Sequence, residues 1–554
     1  MNQNPPAPQP HRPPARVFIV SLAVLCGLIG WLQNVHIVTT NGMYKALAAG
    51  PWIAEFRTAR LDQSNYLFLP LYGAMCSLLD AAGILRGQAW KQFAYLNAFW
   101  ASVGSALIYA FAWRLTGRAP VAAAATLFHA GLGFVLLLSV ISEDIMPGYV
   151  VVLASMLLAA LWFDRPTHLR VGAVGALFTL GWLIEWRLLF PALPAFMLAL
   201  AISEGTLRRR VALIATLLVS VVATAGVVQQ IWEGHNGAVG LHDLLWTGKG
   251  LETGWAGLSW HKAWMMLAGV GSYFAFHNVP ITYVEVQAAA PWLTLSVVVQ
   301  LAILVSAGWM LWPRRHDRRL GAIAAEFVGT WGAGEGFNLN SQPQDPQMQI
   351  NVMVLLPVAW LLLLGAVSVK RPRLFAVLAV LSLAPLVWNA TQLARHRGKD
   401  ARALAALAEL ERKFPPDSTL FVYNGLENIT GWQYLVWSPT WDMEGPPAFG
   451  AAPSRDPRFK WVAVTGPAIR HPGWTAEQHA RAMKEAIDGA LDRGYRVVVS
   501  DFWAWSEQEI ANLLKSVQAP ERARAIYDML HSGYEAGPSI LVTDAGMYRE
   551  LKRK

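Results

Sequence analysis

Long apolar runs, separated by short polar turns, fill most of the chain as far as Ala390. A helix needs about 20 mostly apolar residues to cross a bilayer, so the pattern predicts a polytopic α-helical membrane protein with about eleven transmembrane helices. Two further apolar runs are not assigned as membrane crossings: Leu67–Leu85 is predicted to lie along the membrane surface, and Ala263–Phe276 either to lie along it or to re-enter the membrane. The predicted transmembrane helices are Val17–Leu32, Phe93–Trp113, Ala119–Ser142, Pro147–Phe163, Val171–Trp186, a sixth that returns to Arg208, Val211–Trp232, Trp292–Trp312, Leu320–Gly334, Ile350–Val369 and Leu374–Ala390.

The distribution of basic residues sets the predicted topology. Short basic turns such as Arg208–Arg210 alternate with polar loops, and an excess of Lys and Arg is typical of cytoplasmic turns. If Leu67–Leu85 crossed the membrane, the basic turn with Arg114 and Arg118 would lie outside the cytoplasm and the acidic pair Glu143–Asp144 inside it. Both placements would oppose the excess of Lys and Arg that is typical of cytoplasmic turns. We therefore expect a multi-pass protein of the bacterial inner membrane with a cytoplasmic N-terminus. Its predicted segments are a disordered N-terminus (1–16), a transmembrane domain (17–391) and, within that domain, long outer loops (34–91 and 233–290).

From residue 392 the charge rises and the apolar runs shorten. Four short runs predict buried strands, and Thr475–Arg493 and Ser506–Val517 predict amphipathic helices with Thr475 and Ser506 as N-caps. Strands that alternate with helices favour a small α/β domain with a mostly parallel sheet. We expect residues 392–554 to form this domain outside the cytoplasm, because eleven crossings from a cytoplasmic start end outside. The predicted strands are Leu420–Tyr423, Trp461–Val464, Arg496–Val499 and Ile540–Thr543.

The composition supports a membrane protein and excludes several classes of enzyme. Of all residues 55% are hydrophobic and 15% are charged, whereas soluble proteins carry about 25% charged residues. The sequence contains no P-loop, GxSxG, HExxH, EF-hand or Cys-rich zinc motif. The turns assigned to the cytoplasm are too short for a nucleotide-binding domain. ATP-driven transport and nucleic-acid binding are therefore not expected.

Asp62, in the first outer loop, is the leading candidate for catalysis. It lies near Arg57 and Arg60 and precedes Tyr66 and the Leu-Pro-Leu-Tyr segment Leu69–Tyr72. A carboxylate just outside the bilayer can act as a general base on an acceptor hydroxyl, while the arginines bind a phosphate. A salt bridge that braces the loop explains the same residues.

Further candidates lie where other predicted helices leave the membrane. Glu143 and Asp144 can position an acceptor or, with Asp62, bind Mg²⁺ or Mn²⁺, and a solvated helix end explains them as well. Arg187 can bind a phosphate in bidentate fashion, or it can pair with Glu185 at the membrane surface. No other cofactor is expected. The other candidates for substrate binding, which ordinary loop polarity also explains, are His242, Lys249, His261 and Lys262 in the loop after the seventh helix, and Gln342 before the tenth.

These features resemble the GT-C superfamily of integral-membrane glycosyltransferases, of the ArnT and protein mannosyltransferase type. The similarity lies in the first-loop acid Asp62, in the start of a helix at Leu69–Tyr72, in the acidic turn Glu143–Asp144 and in the C-terminal α/β domain. The first loop lacks a DxD motif, which leaves metal dependence open. The resemblance implies transfer of a sugar from a polyprenyl-phosphate carrier to a glycan, lipid or protein, with inversion at the anomeric carbon. It implies that Asp62 serves as base or metal ligand.

We therefore expect a glycosyltransferase of the cell envelope, in which Asp62 activates the acceptor and Arg187 with loop cations stabilises the lipid phosphate. Two other classes fit the pattern: a transporter or flippase of lipid-linked sugars, and a non-catalytic assembly protein that displays the α/β domain. A transporter should have charges deep in its helices, broken helices and an internal repeat. Glu326 and His129 are the polar residues of this kind, and no repeat is evident.

Overall fold

The computed structural model of the chain contains two compact units. The helical unit includes residues 67–75 and the described part of 94–395, and the C-terminal unit includes 76–93 and the described part of 399–554. The residues that the structure describes are 27, 67–86, 89–141, 145–163, 165–185, 192–203, 205–236, 260–275, 283–314, 316–340, 352–395, 399–415, 418–423, 460–464, 467, 473–515, 519–543 and 546–554.

Apolar helices build the chain up to Ala394. Most are apolar on nearly every side, as expected for helices that contact either a protein core or lipid. The helices are α1 (Phe68–Ala81), α2 (Ala89–Thr116), α3 (Ala119–Gly131), α4 (Gly133–Val140), α5 (Ile145–Trp162), α6 (His168–Ile184), α7 (Ala192–Ser203), α8 (Leu207–Asn236), α9 (Trp260–Phe274), α10 (Tyr283–Leu311), α11 (Arg318–Asn340), α12 (Val352–Lys370), α13 (Pro372–Leu381) and α14 (Ala384–Ala394).

Several of these helices are long and apolar enough to cross a membrane. Among the described residues there are five such spans, or six if the bent pair α3 and α4 forms one span. Large apolar side chains such as Val219, Val305 and Val380 are exposed on these helices, as lipid-facing positions would be. The chain is therefore a multi-pass membrane protein, while the number of eleven helices and the topology stay predictions. With 14 and 15 residues, α1 and α9 are shorter than a span requires, and their place at the membrane stays a prediction.

The predicted continuous helix Ala119–Ser142 is wrong, because α3 and α4 meet at an angle of 61°. The break lies at Leu132, whose ψ of 136° is not helical. At Gly131 a Cβ would lie 2.5 Å from the backbone nitrogen of Leu386 in α14, so only glycine permits this approach. The Asn389 side chain donates to the carbonyl of Gly131 at 2.8 Å and so satisfies a backbone group at the break.

Two more helix predictions differ from the structure in detail. The last predicted helix, Leu374–Ala390, lies within a single candidate membrane span, Pro372–Ala394, in agreement with the prediction. A turn at Ser382 divides this span into α13 and α14; the Ser382 hydroxyl donates to the Leu378 carbonyl there, and Pro385 in the first turn of α14 has no backbone donor. The predicted outer loop 233–290 contains α9 and the first turns of α10. The helix α10 begins at Tyr283, before Pro291, whereas the prediction began it at Trp292; helices in membranes tolerate such an internal proline.

The C-terminal unit contains a six-stranded mixed sheet in the order β2-β1-β3-β6-β4, with β5 paired to β6. The prediction of a mostly parallel sheet is wrong, because β1 pairs in parallel with β2 and β3, whereas β6 is antiparallel to β3, β4 and β5. All four predicted strands are confirmed as β1, β2, β3 and β5. The elements are α15 (Lys399–Lys413), β1 (Thr419–Tyr423), β2 (Lys460–Ala463), α16 (Ala476–Asp492), β3 (Arg496–Val499), α17 (Glu507–Lys515), α18 (Ala523–Gly533), β4 (Tyr534–Ala536), β5 (Ile540–Val542) and β6 (Gly546–Arg553).

Strand β6 escaped prediction because it is highly charged. Its sequence, GMYRELKR, shows no alternation of apolar and polar residues. Tyr548 and Leu551 are buried, and Tyr548 packs against Phe414 and Phe421, so the sheet has apolar contacts on both faces. The charged residues of β6 are held by ion pairs, as between Arg553 and Asp488 at 3.0 Å.

The two predicted helices of the C-terminal unit, α16 and α17, begin where the sequence predicts, whereas α15 and α18 were not predicted. The Thr475 hydroxyl accepts a hydrogen bond from the Gln478 backbone, and the Gln478 side chain accepts one from the Thr475 backbone. This reciprocal capping box satisfies two donors at the start of α16. The helix ends before Gly494, whose φ of +76° glycine adopts without strain.

Candidate active site

The helices α5 and α6 pack backbone against backbone at two glycines. A Cβ on Gly181 would lie 2.6 Å from Val152 Cγ2 and 3.1 Å from the Gly148 carbonyl oxygen. A Cβ on Gly148 would lie 2.8 Å from the Cβ of Glu185. Small residues at a helix crossing permit such an approach in membranes. Glu185, which follows the last residue of α6, therefore lies buried against the first turn of α5.

The chain that follows Asp62 is bonded to the same end of α6. The backbone nitrogen of Leu67 donates to the carbonyl of Leu183 at 2.9 Å. Leu183 precedes Glu185 by two residues, and Leu67 follows Asp62 by five. The start of α1 is thus anchored beside the candidate acid Glu185.

A buried relay of hydrogen bonds connects α1 and α2 to the end of α4. The Tyr72 hydroxyl donates to Asn97 Oδ1, and Asn97 Nδ2 donates to the Ile141 carbonyl at 2.7 Å. Tyr72, Asn97 and Ile141 are all buried. Ile141 lies two residues before Glu143, and α5 begins directly after Asp144. The relay therefore holds the end of α4 two residues before the predicted acidic pair.

Together these contacts hold three chain segments at one end of the helical unit. The segments are the start of α1, the junction of α4 with α5, and the end of α6. Each one adjoins acids that the sequence predicts as functional. The arrangement can therefore bring carboxylates together at this end of the helices.

A second polar network is buried next to this junction. Ser105 Oγ lies 2.9 Å from His129 Nδ1, and His129 Nε2 lies 2.8 Å from the Tyr149 hydroxyl. The three residues belong to α2, α3 and α5, and each is fully or almost fully buried. Tyr149 directly follows Gly148, so the network fixes the start of α5 against two neighbouring helices. His129, noted in the sequence as an intramembrane polar residue, is thus a hydrogen-bonded core residue.

Among the predicted site residues, only Glu185 has a side chain that the structure describes. His261 and Lys262, predicted to lie in a loop, belong to the first turn of α9. That part of the prediction is wrong, because the helical spacing of apolar residues extends back to Trp260. The predicted site residues outside the described part of the chain, whose roles stay predictions, are Arg57, Arg60, Asp62, Tyr66, Glu143, Asp144, Arg187, His242, Lys249 and Gln342.

A metal ion is predicted to bind at three of these acids. Within the described ranges, no three His, Cys, Asp or Glu residues lie close enough to hold a metal ion. The carboxylates predicted as metal ligands, Asp62, Glu143 and Asp144, are not among these residues. Binding of Mg²⁺ or Mn²⁺ by them therefore stays a prediction.

The residues that organise this region carry only weak signals in the sequence. Asn97 is a single amide in an apolar run, which indicates a hydrogen bond but not its partner. Tyr72 ends the Leu-Pro-Leu-Tyr segment and was read as part of a helix start rather than of a buried relay. Gly148 and Gly181 lie near opposite ends of two successive helices, so only their packing reveals that they meet.

Comparison with known proteins shows the fold. No protein-family model and no curated protein sequence matches the chain. Solved structures do match, among them ArnT from Cupriavidus metallidurans bound to undecaprenyl phosphate, with a TM-score of 0.50, and the same protein in the apo state, with a TM-score of 0.51. Each is 13% identical and covers 97% of this chain, which spans 97% and 98% of their lengths. The chain therefore has the fold of ArnT, and the resemblance found in the sequence is confirmed at the level of the fold.

Proposed function

We propose that this protein is a membrane glycosyltransferase that moves a sugar from a polyprenyl-phosphate carrier to a glycan, lipid or protein outside the cytoplasm. The observation that carries the proposal is the fold, which extends over 97% of the chain and is shared with an ArnT structure bound to undecaprenyl phosphate. A carrier of this kind keeps its hydrophobic chain in the bilayer while its phosphate reaches the membrane surface. That geometry suits a multi-pass protein whose candidate acids lie at helix ends.

The packing of the helical unit supports a site at the junction of α4 and α5. The Leu67–Leu183 bond, the Tyr72–Asn97–Ile141 relay and the Gly148–Gly181 crossing all lie there. Buried, fully bonded contacts of this kind hold neighbouring groups in a fixed geometry, which catalysis requires. Rigid helices with functional groups at their ends are therefore what the proposal needs.

In the proposed reaction Asp62 is the general base. It takes the proton from the acceptor hydroxyl, whose oxygen forms a bond to the anomeric carbon of the sugar. The bond between that carbon and the phosphate oxygen breaks, and the polyprenyl phosphate leaves with the electron pair. Arg57, Arg60 and Arg187 stabilise the charge on this phosphate. Glu143 and Asp144 position the acceptor or bind a metal ion, and Glu185 supports the site from the end of α6.

A transporter of lipid-linked sugars is the second candidate. Two observations favour it: the broken helix at Leu132, and the buried Glu326 in α11, whose Oε1 lacks a hydrogen-bond partner within the described residues. The break itself is filled, because Asn389 bonds to the Gly131 carbonyl and the Leu386 backbone packs against Gly131. A substrate path at that break would need this packing to open. We therefore place transport second.

The decisive experiment follows the bond between the sugar and the phosphate. The purified protein is reconstituted in liposomes with a polyprenyl-phosphate sugar labelled in the sugar, and cell-envelope extract supplies the acceptor. The proposal predicts that label moves to an acceptor while free polyprenyl phosphate accumulates.

Two other outcomes would contradict the proposal. Label that crosses the bilayer still attached to its carrier would establish transport instead. Transfer from a soluble nucleotide sugar, without any lipid carrier, would refute the proposed donor. Glu326→Gln separates the two candidates further, because it should abolish transport but leave transfer by Asp62 intact.

A further inference from the structure

A basic cleft lies at the turn between α2 and α3. The cleft has a volume of about 370 Å³ and is lined by Gly117, Arg118, Ala119, Pro120, Val121, Ser368 and Phe375. This volume falls in the range of sites that bind small molecules. No acidic side chain is among these lining residues. The helices that meet here are α2, α3, α12 and α13.

Arg118 is fixed at the edge of this cleft. Its Nη1 donates to the Ser368 carbonyl at 2.8 Å and to the Ser368 hydroxyl at 3.2 Å. In the described part of the chain the Nε and Nη2 groups of Arg118 form no hydrogen bond, so they remain donors for a ligand. Since the guanidinium is held on one side only, it can present its other donors to an anion without losing its position.

More positive charge comes from the two turns that border the cleft. Arg114 lies in the last turn of α2, and Lys370, Arg371 and Arg373 lie where α12 ends and α13 begins. All four are exposed. In addition, α3 and α13 start at Arg118 and Arg371 without a side-chain cap, so the positive ends of both helices add to this potential.

The cleft lies far from the candidate active site. Asn97 and Thr116 are both in α2 and are separated by 19 residues, which corresponds to about 29 Å along a helix. That distance is about the thickness of the hydrocarbon core of a bilayer. A cleft at the end of a membrane-crossing helix lies at the level of lipid headgroups. Asn97, by contrast, lies in the N-terminal half of α2 and bonds to Ile141 at the end of α4.

We propose that this cleft binds the phosphate of an anionic phospholipid from the adjacent leaflet. Charge complementarity and the position of the cleft at the membrane surface carry this assignment, since basic pockets between transmembrane helices bind such headgroups. The inference is independent of the proposed sugar transfer. Arg118 is its central residue, because it lines the cleft and is oriented by Ser368.

The test measures lipid binding to the full chain in detergent by native mass spectrometry. Phosphatidylglycerol is compared with phosphatidylcholine of the same acyl chains. The wild type should prefer phosphatidylglycerol, and Arg118→Glu, which reverses one charge, should weaken its binding about 30-fold. Arg118→Lys should retain most of the affinity because it keeps the charge.

Arg208→Glu provides the matched control. Arg208 is exposed in the first turn of α8, beside two further arginines, but it does not line the cleft. Its replacement should change the affinity less than threefold. An equal loss in both variants would overturn the proposal, because it would indicate a general basic surface. Unchanged binding in Arg118→Glu would overturn it as well.

Two further arms complete the test. Inorganic phosphate at millimolar concentration should not displace the lipid, and complete displacement would identify a free-anion site instead. Melting temperatures establish that each variant is folded. If Arg118→Glu fails to fold, Arg118→Gln takes its place with an expected loss of about fivefold.

Discussion

Replacing Gly181 by alanine tests the helix crossing that positions Glu185. The added methyl would lie 2.6 Å from Val152 Cγ2, 3.0 Å from the Val152 backbone nitrogen and 3.1 Å from the Gly148 carbonyl. Two of these three neighbours are backbone atoms, so a side-chain rotation cannot relieve the contact. The helices α5 and α6 must separate, and Glu185 must move with the end of α6.

The expected cost follows from two opposing contributions. Overpacking of a tight interior costs about 1–3 kcal/mol, whereas alanine in a helix gains up to about 1 kcal/mol over glycine. Gly172 is a matched control on the same helix, because a Cβ there would lie 3.9 Å from Thr216 Cγ2, an ordinary contact. Gly172→Ala should therefore be neutral or slightly stabilising, and the two variants should differ by about 1–3 kcal/mol.

The assay combines unfolding in detergent with the rate of sugar transfer. Gly181→Ala should unfold at a lower temperature than Gly172→Ala and should transfer sugar more slowly at temperatures where both are folded. Equal stability and equal rates for the two variants would refute the idea that this crossing positions the site.

Three other variants test separate parts of the structure. Asn97→Leu should destabilise the protein by about 1–3 kcal/mol and slow transfer, because it removes the two buried hydrogen bonds that the Asn97 amide forms with the Tyr72 hydroxyl and the Ile141 carbonyl; a melting temperature equal to that of the wild type would contradict the relay. Thr475→Ala should cost about 1 kcal/mol by removing the cap of α16, without any change in transfer; comparison of melting curves and rates measures both. Burial, aided by the charge of Arg522, lowers the pKa of His479 from 6.5 to about 4, so the unfolded chain binds more protons between these values. The contribution of His479 to the free energy of unfolding is complete above about pH 6.5 and is lost as the pH falls towards 4, so the protein should lose about 2 kcal/mol of stability from this group between pH 7 and pH 5. The His479→Gln variant should lose less stability than the wild type over the same interval. An equal loss in both proteins would contradict this linkage.

Much of the helical unit follows from the hydrophobic pattern alone. Helices that contain long apolar runs, such as α2, α5 and α12, lie where the sequence predicts them. The errors arise where tertiary contacts decide the backbone. The break at Leu132 depends on Asn389 and the Leu386 backbone, which are distant in the sequence. Likewise, α10 passes through Pro291 because its environment tolerates the lost hydrogen bond, which a local rule cannot anticipate.

In the C-terminal unit and at the candidate active site, too, elements set by the local sequence were predicted and contacts between distant residues were not. The strands β1, β2 and β3 are apolar and were predicted, whereas β6 depends on ion pairs such as that between Arg553 and Asp488. At the candidate active site the sequence indicated one acid in the first outer loop, Asp62, and acids at two helix ends, Glu143–Asp144 and Glu185. It could not indicate that Leu67 bonds to Leu183 or that Asn97 bonds to Ile141, because these contacts join residues far apart in the chain.

The most direct test of the central claim measures thermal stability and turnover on the same purified Asp62→Asn protein. The substitution keeps the size of the side chain but removes its charge and basicity. Asp317→Asn, at the turn before α11, is the matched control, since Asp317 forms an exposed ion pair with Arg314 and has no proposed role in transfer. The proposed mechanism predicts that Asp62→Asn transfers sugar about 10²–10⁴-fold more slowly while its melting temperature stays near that of the wild type, and that Asp317→Asn remains active. A well-folded Asp62→Asn protein with near-normal turnover would contradict the assignment of Asp62 as the base.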